Sequence, residues 1–119
     1  MKEWSKHWNK SKKPKKQRKY RHNAPLHVKG KFMSSHLSRE LRKKTGKRSI
    51  RIRKGDKVII LRGQFKKQKG TVDFVDLRNS KVYVGKIEFQ KKDGTKAFRS
   101  IDPSNLMITE LVEDKKRLK

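Results

Sequence analysis

The sequence has no cysteine in 119 residues, only three prolines, and 11 carboxylates against 37 lysines and arginines. Without cysteine there is no disulfide framework, no thiolate zinc site and no thiol nucleophile, a composition that fits a reducing compartment. Long apolar runs are also missing. No segment approaches the ~20 residues of a membrane span, so no membrane insertion is expected. The N-terminal stretch lacks the apolar h-region of a secretory signal, and its lysines depart from the Ser/Arg pattern of a transit peptide.

The shortage of acid is most acute near the N-terminus. Between Glu3 and Glu40 there is no carboxylate, while twelve lysines and arginines lie between them. Residues 1–51 carry 19 basic and 2 acidic side chains, whereas residues 52–119 carry 18 and 9. The net charge of +26 calls for a polyanionic partner. A membrane surface would need an apolar face beside the charge. Only Trp4 and Trp8 hint at one, and they read better as packing against the chain itself or its partner. Nucleic acid is the leading class.

The chain divides into four parts. Residues 1–33 read as a basic, extended arm: Pro14 interrupts a charge run, and Asn23–Pro25 is a turn signal that biases Ala24 away from helix. Too few apolar residues are present to offset the entropy of ordering it alone. Fully extended, 33 residues at ~3.3 Å each would span about 100 Å. Residues 34–47 read as a short helix, centred on 35–45, with Ser34 or Ser35 as N-cap, Leu37 and Leu41 one turn apart, and Gly46 as the stop.

Residues 48–112 switch to short β runs. Lys57–Leu61, Thr71–Asp76, Val82–Phe89, Lys96–Ile101 and Leu106–Ile108 give about five strands, with turns at Arg78–Ser80 and Asp93–Gly94 and a bulge or bend at Gly85. Val58, Ile60, Val72, Phe74, Val82, Val84, Ile87 and Leu106 are the expected core. So many short strands favour a small, bent barrel over an open sheet. Residues 113–119 read as a charged tail that frays.

Catalysis is not expected. His7, His22, His27 and His36 lack metal-ligand spacing, and Asp56, Asp73 and Asp76 read as turn and strand residues rather than a nuclease centre. No cofactor and no metal are expected.

Gly55–Val72 (GDKVIILRGQFKKQKGTV) is strand, basic loop, strand. Gly63 and Gly70 bracket Arg62, Phe65, Lys66, Lys67 and Lys69, placing glycine freedom and charge where a phosphate chain can approach. Phe65 either stacks on a base or plugs the end of the β domain. This stretch resembles the KOW motif, the RNA-binding signature of small SH3-like barrels. The motif usually carries Lys-Gly in mid-loop, where this chain has Lys66-Lys67.

The resemblance extends over residues 22–112. NAPLHVKGKFMSSHLSRELRKKTGKRSIRIRKGDKV and IDPSNLMIT are similar to the universal large-subunit ribosomal protein twenty-four family, in its archaeal and eukaryotic branch. The end at Lys119, without a long extension, looks archaeal. The resemblance implies a mainly β fold with an SH3-like barrel. It implies a structural protein of the large ribosomal subunit, cytoplasmic and ribosome-bound, that binds large-subunit rRNA early in assembly near the nascent-chain exit tunnel. Implied partners are that rRNA, neighbouring large-subunit proteins and factors at the exit tunnel, with no homo-oligomer. The alternative is a KOW-domain transcription-elongation or RNA-processing factor.

Candidate RNA contacts are Lys12, Lys13, Lys15, Lys16, Arg18, Lys19, Arg21, His22, His27, Lys29 and Lys31 in the arm. A second surface comprises Arg39, Arg42, Lys43, Lys47, Arg48, Arg51 and Arg53. The loop adds Arg62, Gly63, Phe65, Lys66, Lys67, Lys69 and Gly70. Phosphate contacts would supply affinity, and RNA shape with unpaired bases the specificity.

Overall fold

In the computed structural model, residues 4–8 and 10–118 are described. The elements run α1 (Pro14–Asn23), α2 (Leu26–Phe32), β1 (Ser34–Leu37), α3 (Arg39–Thr45), β2 (Ser49–Arg51), β3 (Lys57–Ile60), β4 (Lys69–Asp76), β5 (Lys81–Gln90), β6 (Lys96–Ile101), a 3-10 turn (Pro103–Asn105) and β7 (Leu106–Glu110). The strands form one sheet in the order β2-β1-β7-β3-β4-β5-β6. All neighbours are antiparallel except β1 and β7, which pair in parallel through His36–Met107 and Leu37–Ile108. The chain is mainly β, as expected. The sheet has seven strands rather than five and is not closed into a barrel.

Strand β4 is the hinge of this sheet. Its first residues, Lys69–Thr71, pair with β3, and Val72–Asp76 pair with β5. The register slips between Val72 and Phe74. Val72 is therefore buried while Phe74 is 58% exposed, lying against Tyr83 with ring centroids 5.7 Å apart. Phe74 does not belong to the core, because the bulge turns it to the outer face. In β5 the expected irregularity is present: the pairing with β6 shifts between Tyr83 and Glu88, and Lys86 takes φ 68°. That extra residue lets Val82, Val84 and Ile87 all point inward despite their mixed parity. They join Val58, Ile60, Leu106 and Ile108 in one apolar cluster.

The segment read as a helix from Ser34 onward starts as a strand. Ser35 and Leu37 of β1 are buried, and the Ser35 hydroxyl donates to the Pro103 carbonyl at 2.7 Å. The N-cap of α3 is Ser38, whose Oγ accepts from the Leu41 N–H at 3.4 Å, rather than Ser34 or Ser35. Gly46 ends α3 at φ 69°, as expected. Leu37 and Leu41 still reach the same core, one from a strand and one from a helix.

From Pro14 on, the arm forms helices rather than an extended strand. Pro14 stands at the first turn of α1, where its missing N–H costs nothing and its fixed φ suits a helix. The turn at Asn23–Pro25 separates α1 from α2, with Ala24 extended at ψ 141°. Tyr20 projects from α1 into an aromatic group, stacking on Trp8 at 5.2 Å and approaching Trp4 at 5.4 Å and Phe32 at 6.4 Å. The tryptophans thus pack against their own chain. Helix α2 is tied to the sheet by Lys29, whose buried ammonium donates to the Arg78 carbonyl at 2.9 Å. Gly30 lies so close to Arg51 that an added Cβ would sit 2.8 Å from the guanidinium. The radius of gyration of 16.1 Å exceeds the ~13.5 Å of a compact chain of this length, and the extents of 45 × 43 × 22 Å make the molecule flat.

The tail is docked, not frayed, through Arg117. Asp56 is fully buried, and its carboxylate accepts from the Arg53 N–H (3.0 Å), the Val112 N–H (3.1 Å) and Arg117 Nη1 (2.7 Å). Arg117 Nη2 bonds the other Asp56 oxygen and also donates to the Arg51 carbonyl at 2.8 Å. Asp114 of the same tail pairs with Arg53.

In the β3–β4 loop the Lys67 N–H donates to the Ile60 carbonyl at 2.8 Å, and the Ile60 N–H donates to the Gln68 carbonyl at 3.0 Å. Gly63 takes φ 94° and Lys67 takes φ 71°. Lysine therefore occupies a left-handed position that favours glycine, the position where the family motif places one.

Two outcomes are expected. Arg117→Ala should destabilise the chain by about 3 kcal/mol, because it leaves a buried carboxylate without its cation. A loss below about 0.5 kcal/mol in urea denaturation would contradict the docked tail. Lys67→Gly should stabilise by about 0.5–1 kcal/mol, relief of left-handed strain outweighing the backbone entropy that glycine adds. A lower melting temperature for that variant would contradict the loop conformation.

Candidate RNA-binding surface

Helix α1 presents its cations outward without exception. Lys15, Lys16, Arg18, Lys19, Arg21 and His22 are all exposed, as are Lys12 and Lys13 before it. The helix buries no residue and has no acidic side chain in its first turn. Arg21 also reaches back, its guanidinium carbon 5.6 Å from the Phe32 ring centroid. On α2, His27 and Lys31 are exposed, whereas Lys29 is turned inward to Arg78.

The second surface is more mixed. Arg39, Arg42 and Lys43 are exposed on α3, and Arg42 also donates from Nε to the Leu37 carbonyl at 2.9 Å. Lys47 is half-buried, and Arg48, Arg51 and Arg53 are exposed. Arg53 faces Asp114 and Arg51 rests on Gly30, so both help join segments of the fold.

The loop keeps Arg62, Lys66, Lys67 and Lys69 exposed around Gly63, where a Cβ would meet only open space. Phe65 is half-buried and packs against the core. Gly70 serves packing between strands, since a Cβ there would lie 2.5 Å from Val84 Cγ1.

Several carboxylates on or beside the sheet are engaged in structure. Asp76 is held below its usual acidity range by hydrogen bonds from the Asn79 side chain and N–H, and Asp93 likewise by Thr95. Asp114 is lowered by the Lys116 N–H and then by Arg53. Lys57–Glu110 at 2.7 Å and Lys81–Asp102 at 3.0 Å are surface pairs, contributing at most about 1 kcal/mol each. Among the described residues no group of three His, Cys, Asp or Glu side chains is placed to hold a metal ion.

Two basic clefts flank the 3-10 turn. One, of about 410 Å³, lies between the helices and the Arg78–Ser80 turn and is lined by Arg21, His22, Lys29 and Arg78 with Phe32. The other, of about 200 Å³, brings Arg62 and Phe65 together with Lys81 and Arg99. Arg78, Lys81 and Arg99 are not marked as RNA contacts by the sequence, although Arg78 sits in a turn that the sequence signals clearly. What the arrangement offers is cations on helices, a loop and two clefts, without an acid–base or metal constellation.

Comparison with known proteins gives the same direction. A family model described as covering the eukaryotic ribosomal proteins L26 and their archaeal counterparts matches residues 11–119. The large ribosomal subunit protein uL24 of Methanocorpusculum labreanum is 50% identical over 98 residues, covering 82% of this chain and 81% of the relative. The protein of the same name from Methanospirillum hungatei JF-1 is 47% identical over 108 residues, covering 90% of each. With a match over nearly its whole length and about half of the aligned residues shared with archaeal relatives, the chain belongs to this archaeal and eukaryotic family of ribosomal proteins.

Proposed function

We propose that this chain is a structural, non-catalytic constituent of the large ribosomal subunit that binds large-subunit rRNA. The observation that carries the reading is the separation of charge. Asp56, Asp76, Asp93, Asp102, Glu110 and Asp114 are engaged in turns and ion pairs, while α1, α3 and the β3–β4 loop expose cations outward. Such a surface gains affinity by displacing counterions from phosphates. The site residues act as a distributed set, with the loop and α1 touching the RNA backbone and Lys29, Arg51 and Arg53 holding the helices and tail to the sheet.

The unit β3–β7 acts as an SH3-like platform, a reading supported by the bend at which β4 changes partners. The arm, residues 1–33, lays the exposed cations of α1 along the RNA, and residues 48–112 form the platform. The family resemblance supports early binding in assembly, a place near the exit tunnel beside neighbouring ribosomal proteins and targeting factors, and a cytoplasmic, ribosome-bound monomer. The alternative of a transcription-elongation or RNA-processing factor finds no support in relatives that are named large-subunit proteins over 81% and 90% of their length.

Sedimentation of a lysate tests the reading, which requires the chain to comigrate with the large subunit through high-salt washing. A ribosome-free position would refute it. Deleting residues 1–21 should leave the sheet folded by circular dichroism but weaken rRNA binding. It should also lower the slope of log K against log salt by about 0.9 for each phosphate that the arm no longer neutralises. An unchanged slope would remove the arm from the RNA interface.

A further inference from the structure

We propose that the cleft between α2 and the Arg78–Ser80 turn seats a single unpaired nucleotide of the bound RNA. The inference rests on the rRNA-binding reading and names a site within it that lies outside the loop motif. At about 410 Å³ the cleft falls within the ~300–1,000 Å³ range of small-ligand pockets. Its mouth is cationic, with Arg21 and Arg78 exposed on opposite sides. The one acid of its lining, Asp102, is already paired with Lys81 at 3.0 Å.

The walls distinguish a nucleotide from a bare phosphate. Phe32 is half-buried there with the Arg21 guanidinium near its ring, an aromatic–cation pair of the sort on which a base stacks. Ser104 adds a hydroxyl at the exposed rim. A duplex does not fit this shape, because its bases are paired inward and its convex backbone meets flat or grooved surfaces. A bulged or looped base, splayed out of its helix, offers both a flat face and an adjacent phosphate. Lys29 keeps the cleft in shape, since its bond to the Arg78 carbonyl spans the two walls.

Filling the cleft without changing charge tests the proposal. Full-length wild type and Ser104→Trp would be bound to transcribed large-subunit rRNA, with dimethyl sulfate probing of unpaired bases. Ser104→Trp should weaken binding roughly five- to a hundredfold, the range of one stacking contact. It should leave the salt slope unchanged and expose one or two bases that the wild type protects. Arg78→Gln, which keeps the backbone carbonyl that Lys29 uses, should lower the salt slope by about one. Equal affinity and protection for wild type and Ser104→Trp, with a normal slope for Arg78→Gln, would overturn the nucleotide seat while leaving rRNA binding intact. Failure of the wild type to bind the rRNA at all would instead overturn the reading beneath it.

Discussion

The Asp56 carboxylate is the interaction on which the fold most depends. It has no exposure, and it is reached by the backbone of Arg53, the backbone of Val112 and the guanidinium of Arg117. Its own backbone and that of Gly55 exchange hydrogen bonds with Val72 at 2.9 and 2.8 Å. The exit from β2, the start of β3, the bend in β4 and the segment after β7 therefore converge on one residue. In a chain of net charge +26, a buried anion attracts rather than repels its surroundings. A guanidinium suits it because its rigid fork serves both carboxylate oxygens at once.

Five further acids follow the same logic at lower strength. Asp114, Glu110 and Asp102 pair with Arg53, Lys57 and Lys81, and Asp76 and Asp93 close turns through Asn79 and Thr95. Anions are thus concentrated where the sheet needs geometry. Cations such as Lys15, Lys16, Arg18 and Lys19 stand on a helix with no carboxylate in its sequence. A protein arranged this way holds its platform together internally and leaves the compensation of its arm to an external polyanion.

How much of this was legible in the sequence depends on the range of each interaction. The strands Lys57–Ile60, Lys69–Asp76, Lys81–Gln90 and Lys96–Ile101 announced themselves through branched and aromatic residues between turn signals. Strand β1 did not, because Ser34, Ser35 and His36 hide an alternation that only the partners β2 and β7 complete. Phe74 was misplaced because a bulge reverses parity without a marker at that point. The docked tail was invisible, since Asp56 and Arg117 are 61 residues apart and a charged terminus reads as solvated. Among site residues the type of partner was plain from charge alone, but not direction. Nothing local separates Lys29, turned inward, from exposed Lys31 two residues later.

Helix α1 shows why the arm looked extended and yet folds. Its ten residues fall short of the ~12–15 that make an isolated helix even marginal. Lys15 and Lys19 stand one turn apart, a like-charge pair that costs about 0.2–0.5 kcal/mol. Cations near an N-terminus also oppose the helix dipole. Against this, the helix is anchored near its C-terminal end by the Tyr20 ring packed on Trp8 and Phe32, and the Gln17 side chain donates to the Ser11 carbonyl at 2.7 Å. The anchored end is fixed by ring packing, and the far end is opposed by electrostatics alone. A phosphate chain laid along Lys15, Lys16 and Lys19 reverses the sign of both unfavourable terms, replacing repulsion by attraction and placing negative charge at the positive end of the dipole. A helix of this composition and an RNA laid along it would stabilise each other, and the absence of acid in the arm is the condition for that coupling.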